Sequence, residues 1–169
     1  MSSSDPAQCV LLADIGGTNV RFALADTGAD NPLLVDSTRE YVVADFPSLA
    51  DAAKHYMDQT GTTARNGVFA AAGRVDGDEV RVTNHPWVIR VPRLKKMLGF
   101  EGVKLMNDFA AQAMASSLLG PDDVAQVGGT PWKPVPLSRN LTYAVIGPGT
   151  GLGAGGLLVR DGKRYALET

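Results

Sequence analysis

Apolar residues fall along this chain in short β-rich runs separated by glycine turns, with a few stretches of helical spacing between them. Val10-Leu11-Leu12-Ala13 and Val20-Arg21-Phe22-Ala23-Leu24 bracket Asp14-Ile15-Gly16-Gly17-Thr18-Asn19. Strand, glycine turn, strand predicts a hairpin over about 10–26. Leu141-Thr142-Tyr143-Ala144-Val145-Ile146 precedes Gly147-Pro148-Gly149-Thr150-Gly151-Leu152-Gly153 in the same way, which predicts a second hairpin over about 141–160 and a further strand from Arg164 to Leu167.

Between the hairpins, an irregular polar stretch around Gly28 to Pro32 leads to a short strand, Tyr41-Val42-Val43-Ala44. From Pro47 to about Gln59, the residues Leu49, Ala52, Ala53, Tyr56 and Met57 recur at helical spacing, with Pro47 near the first turn. Gly67 to Ala72 reads as a buried strand, and Glu79 to Thr83 as another after the Asp76-Gly77 turn. A helix over Pro92 to Leu98 ends at Gly99. The strand Val103 to Met106 then runs into Asn107-Asp108 and an alanine-rich helix over about Phe109 to Leu119. Strands in succession followed by crossover helices imply an α/β fold, a mixed sheet with helices packed on it. Beyond Pro121 the texture becomes rich in glycine and proline, which places a domain boundary near 110–122: a small α/β domain over 1–115, and over 116–169 the beginning of a second, larger α/β domain. The later part has too little material for its own core, so the chain reads as the front part of something longer.

Composition narrows the function. The formal charge is −2 and no basic cluster stands out, which argues against electrostatically driven nucleic-acid binding; Arg93-Leu94-Lys95-Lys96 reads as a solvated helix face. Cys9 is the only cysteine, so neither an intrachain disulfide nor a cysteine-cluster zinc site can form. The N-terminus lacks the basic and apolar regions of a signal peptide, and no apolar run is long enough to span a bilayer. The expectation is a soluble cytoplasmic protein with no nucleic-acid or membrane partner.

The two glycine-threonine loops carry the candidate chemistry. Glycines let backbone N–H groups converge on an anion, and a threonine hydroxyl adds a donor. Neither loop contains lysine, so the Walker pattern is absent, and neither clearly opens a helix as a dinucleotide fingerprint does. Each loop alone also suits an ordinary tight turn. Asp108 sits where a strand ends and a helix begins, where backbone donors and the helix dipole favour the carboxylate. Such a group can accept a hydroxyl proton during phosphoryl transfer, or merely cap its helix. Asn107 adds an amide able to donate to and accept from a polyol. Asp14, ahead of the first loop, can meet a magnesium ion carried by a nucleotide, usually through water, or bond its own turn. Thr83-Asn84-His85-Pro86-Trp87 suits a sugar-contact loop, although His85 is more simply structural and Trp87 core. Arg21 and Arg74 can face phosphate, yet both read more simply as surface residues.

Four segments together, Leu12 to Leu24, Thr83 to Trp87, Met106-Asn107-Asp108-Phe109 and Gly147 to Gly153, resemble the bacterial glucokinases of the hexokinase, actin and sugar-kinase superfamily. They occur in that family's order and spread over nearly the whole chain. The resemblance implies a ribonuclease H-like (actin-like ATPase) core in two domains around a cleft, and ATP-dependent phosphorylation of glucose at its 6-hydroxyl, the first step of glycolysis. By the same match Asp108 is the catalytic base, and Asn107 and Asn84 are sugar-side contacts. Asp14, Gly16, Gly17, Thr18 and Asn19 form one phosphate loop, and Gly149, Thr150 and Gly151 the other. No metal is held directly; Mg²⁺ arrives with ATP, near Asp14. A homodimer is also implied.

The family's Glu-Gly-Gly-His sugar-binding stretch begins close to Thr169, and its adenosine-binding segment and a later sugar-binding glutamate lie beyond. The cysteine-rich zinc motif of repressor-type relatives has no counterpart here. Two further readings follow: that residues 1–169 alone are a catalytically incompetent fragment, or that the chain is a non-enzymatic regulator with a kinase fold. Retention of Asp108 and both loops counts against the second.

Overall fold

The computed structural model describes residues 9–29, 31–129, 131–148 and 152–167. Its elements, in chain order, are β1 (Cys9–Ile15), β2 (Asn19–Asp26), β3 (Leu33–Val42), α1 (Leu49–Thr60), β4 (Asn66–Ala71), β5 (Val75–Asp76), β6 (Glu79–Arg81), β7 (Val88–Arg90), α2 (Val91–Leu98), β8 (Gly102–Asn107), α3 (Asp108–Ala115), β9 (Leu141–Pro148), β10 (Leu152–Arg160) and β11 (Lys163–Leu167). The chain divides into two compact units, Met1–Asp108 and Phe109–Thr169.

In the first unit β1 and β2 form the predicted hairpin, from Cys9 opposite Asp26 to Ile15 opposite Val20. They belong to a five-stranded sheet of order β3-β2-β1-β4-β8. β4 runs parallel to both β1 and β8, joined to them by the α1 and α2 crossovers, so the sheet is mixed as expected. Alternation decides its buried face. Cys9, Leu11, Ala13 and Ile15 of β1, Val20, Phe22 and Leu24 of β2, and Phe69 and Ala71 of β4 are buried with Leu49, Ala52, Ala53 and Tyr56 of α1 and Leu94 of α2. A small three-stranded sheet, β5-β6-β7, completes the unit.

The helix ends follow local chemistry. Ser48, in extended backbone, caps α1: its Oγ accepts from the Asp51 N–H at 3.4 Å. Pro47 therefore precedes the cap and lies outside the first turn. α2 has a proline in its first turn and ends on Gly99 at φ 69°, as the sequence predicts.

Three elements differ from the sequence expectation. The short strand at 41–44 is instead the end of β3, a ten-residue strand, and Val43–Asp45 form a 3-10 turn. β3 is an edge strand with a polar middle, Asp36 to Glu40, and its residues are exposed or half-buried, so it lacks apolar alternation. β7 is three residues long, too short for a periodic signal. α3 is regular only to Ala115, and the next residues tighten into i→i+3 bonds, Ser117 N–H to Met114 and Leu118 N–H to Ala115.

The second unit is built on a three-stranded antiparallel sheet of order β11-β10-β9, which contains the predicted second hairpin and further strand. Ala113 of α3 is buried against Leu157 and Val159 of β10, with Met114, Tyr143 and Val145 packed around them.

Candidate active site

Parallel register brings the candidate residues together. Ile15 pairs with Ala71, and Ala71 with Asn107, so β1, β4 and β8 end in one row at their carboxyl ends. Two strand spacings separate β1 from β8, about 10 Å. Strand ends that are far apart in sequence thus face the same crevice, the place where open α/β sheets bind ligands.

A cleft of about 290 Å³ opens there, lined by Asp14, Ile15, Gly16, Gly17, Thr18, Asn19, Arg21, Ala72 and Asp108. The loop that forms one wall is held by main-chain bonds. The Gly16 N–H donates to Asn19 O at 2.9 Å, Val43 N–H to Thr18 O at 2.9 Å, and Ala72 N–H to Ile15 O at 2.8 Å. Gly17 is required by close approach: a Cβ there would lie 2.7 Å from the Thr83 carbonyl oxygen. The first glycine loop therefore packs directly on the Thr83-Asn84 turn. That turn is fixed in its own right, with Thr83 N–H bonded to Ala72 O at 2.8 Å. Asn84 is exposed and adopts φ 61°, a left-handed conformation that asparagine tolerates.

Asp108 is the first residue of α3 and half-buried. Beside it, Asn107 donates from Nδ2 to the Gly73 carbonyl at 3.0 Å, tying the end of β8 to the segment after β4. Asp14 is paired with Arg21 at 3.7 Å, and Arg21 is held by Glu40 at 2.7 Å. Asn19 completes this small network by donating to Glu40 Oε1 at 2.6 Å. Desolvation pushes the Asp14 carboxyl above its ordinary value; Arg21 opposes this, while Asp108 and Glu40 add to it. The Asp14 side chain nonetheless stays 62 % exposed, so solvent screens these charges.

Sequence reasoning brought Asp14, the first loop and Asp108 forward, and all of them line this cleft. Gly149, Thr150 and Gly151 lie outside the described residues. Ala72, Gly73 and Glu40 were missed. Glu40 had no signal because its strand was not legible, and Ala72 and Gly73 reach the site through the order of strands alone. Trp87 is 5 % exposed, with Nε1 donating to Phe46 O at 3.2 Å, and His85 Nδ1 accepts from the Trp87 N–H at 3.3 Å. Both act within the core and its turn. Arg21 is tied to two carboxylates, whereas Arg74 is an exposed surface residue. A larger cavity, about 530 Å³, lies between the start of α1, the 85–90 segment and α2, apart from Asp14 and Asp108.

Comparison with known proteins shows the family and the fold. A family model described as Glucokinase matches residues 11–169. A glucokinase of Stenotrophomonas maltophilia (strain K279a) is 64 % identical over 163 residues, covering 96 % of this chain and 49 % of the relative. The chain spans about half the length of the curated relatives it matches. Among solved structures, a glucokinase from an Antarctic psychrotroph superposes with a TM-score of 0.77 at 31 % identity, covering 96 % of this chain and 50 % of that one. A glucokinase from Balamuthia mandrillaris, in complex with glucose, does so with a TM-score of 0.62 at 25 % identity, covering 100 % and 49 % respectively. The mixed sheet with flanking helices is thus the actin-like ATPase fold of sugar kinases.

Proposed function

Because this chain belongs to the glucokinase family, we propose that the protein it forms transfers the γ-phosphoryl group of ATP to the 6-hydroxyl of glucose. One observation carries the reading beyond family membership: the first glycine loop and Asp108 line a single cleft at the carboxyl ends of parallel strands. Phosphoryl transfer demands little covalent chemistry from a protein, only positioning and charge stabilisation. The loop supplies backbone N–H groups and the Thr18 hydroxyl for phosphate oxygens. Asp108 orients the sugar hydroxyl and accepts its proton as it attacks. Asn107 and Asn84 are the sugar contacts in this reading, and Gly149 to Gly151 the second phosphate loop.

The site also suits a magnesium ion that arrives with the nucleotide. Among the described residues no group of three or more His, Cys, Asp or Glu side chains could hold a metal ion, whereas Asp14 offers one accessible, hard carboxylate at the cleft. Bound there through water, magnesium would neutralise charge on the phosphates. A cation beside Asp14 would also favour its ionised form, against the desolvation that opposes it.

The proposal extends to a homodimer, for which β3, an edge strand of its sheet among the described residues, bears exposed Leu33, Leu34 and Val35. A cytoplasmic setting goes with the ATP supply and with one buried, reduced cysteine, Cys9. No helix among the described residues is long and apolar enough to cross a membrane.

Asp108→Ala, made in the polypeptide expressed from its own gene, tests the assignment. Glucose 6-phosphate formation in a coupled assay should fall about 10²–10⁴-fold, with an unchanged far-ultraviolet circular dichroism spectrum. Turnover close to that of the unaltered protein would overturn the role of Asp108.

A further inference from the structure

We infer that Phe109 is a positioning residue for this reaction: its side chain, seated in a slot of glycines on the β9–β10 hairpin, fixes the first turn of α3 and so the backbone of Asp108. The role rests on the phosphotransfer reading above.

The slot follows from strand register. Gly147 lies opposite Gly153 and Val145 opposite Gly155, so these four residues share one face of the hairpin. The same face continues into Tyr143 opposite Leu157. Near the turn, then, three of four adjacent positions present no side chain, and farther along the face is apolar and filled. Phe109 occupies the empty part. A Cβ at Gly147 would lie 2.8 Å from Phe109 Cζ, and one at Gly155 would lie 2.6 Å from the Phe109 carbonyl oxygen. At Gly153 a Cβ would overlap the ring itself. The ring thus lies over Gly147 and Gly153 while the main chain of α3 rides on Gly155. One turn later Ala113 is buried against Leu157 and Val159, so residues i and i+4 of α3 bear on the same hairpin face.

This reassigns part of a motif. Gly147 and Gly153 belong to the run that the sequence presents as phosphate-binding, yet in the structure their missing side chains make room for an aromatic ring from α3. A half-buried helix–sheet contact with no room for even a Cβ between ring and strands has few alternative arrangements. Asp108 is covalently next to this contact, so the seat of Phe109 sets where the α3 N-terminus begins. A hydroxyl being deprotonated demands that accuracy, since a displacement of about 1 Å in a reacting group can cost about a hundredfold in rate. Phe109 itself need touch no substrate.

The test uses Phe109→Ala, Phe109→Leu, Gly153→Ala and the double variant Phe109→Ala/Gly153→Ala, each in the polypeptide expressed from its own gene. Phe109→Ala should lower kcat about ten- to a hundredfold while changing KM for glucose less than about threefold, and Phe109→Leu should restore much of kcat. Gly153→Ala should lower the melting temperature when Phe109 is present and have little further effect once the ring is removed. A kcat for Phe109→Ala equal to that of the unaltered protein, per folded molecule, would overturn the positioning role. Additive melting shifts in the double variant would overturn the seat. An unaltered protein without sugar-kinase activity would instead overturn the phosphotransfer reading, and the positioning role with it; the melting cycle separates that failure from failure of the seat.

Discussion

Around Asp14 two further carboxylates, Asp108 and Glu40, and one guanidinium, Arg21, act on a single side chain. Desolvation leads, and the balance raises the Asp14 pKa above 3.8. The sign of the consequence is fixed by linkage: a carboxyl that binds its proton more tightly when folded favours the fold fully below pH 3.8, and that contribution is lost as pH rises through the raised folded value. At neutral pH, then, the ionised Asp14 is a liability to stability, retained in a place where a bound cation would relieve it. Asp14→Asn should raise the melting temperature at neutral pH, and the gain should vanish below pH 3.8. Melting followed across that range decides the matter; a variant less stable than the unaltered protein at neutral pH would contradict the electrostatic account. At this scale the sequence was informative, because Asp14 and Asp108 stand beside glycine and helix-start signals. What it hid was Glu40, whose bonds to Asn19 and Arg21 cross from one strand to the next.

Among the elements, β3 shows best why a pattern in sequence is not the same as a structure. Its polar residues carry no alternation, yet the strand forms because the free edge of β2 offers it a ladder. Side chains then pin it. The register shifts between Phe22 and Leu24, and the Leu24 N–H is met there by Ser37 Oγ at 2.8 Å. From α1, the fully buried Tyr56 donates its hydroxyl to Ser37 O at 2.9 Å. Loss of a hydrogen bond of this kind costs about 1 kcal/mol. Tyr56→Phe should therefore destabilise the fold by about that amount in urea unfolding, and hydrogen exchange should quicken first in β3 amides. Equal exchange in β3 and β4 would show that the bond does not hold the edge. Elements that closed on local chemistry were legible in advance: the hairpin β1–β2 through its glycine turn, and α2 through its proline and Gly99. Those set by a partner strand, β3 and β7, were not.

For the whole molecule, the two units differ in what holds them. The first contains its own apolar core, from Cys9 to Leu105, whereas in the second only Ala113, Leu157 and Val159 form a buried cluster among the described residues. Residues 1–108 expressed alone should accordingly unfold in urea through one sigmoidal transition, and residues 109–169 alone should not; a broad, gradual loss of structure in the first piece would refute the expectation. The sequence by itself determined the local pieces, namely the apolar periods, the helix ends, the two glycine turns and the types of residue that can hold phosphate and take a proton. These depend on neighbours a few residues apart, which any chain carries in its own order. Only the tertiary structure decided that Asp14 and Asp108 share one cleft, because β4 inserts between β1 and β8 in parallel register. It also decided that Gly17 serves contact with Thr83, and that Gly147 and Gly153 clear space for Phe109. A missing side chain is visible in sequence, but whether phosphate, backbone or an aromatic ring fills its place depends on chain that packs there from far away.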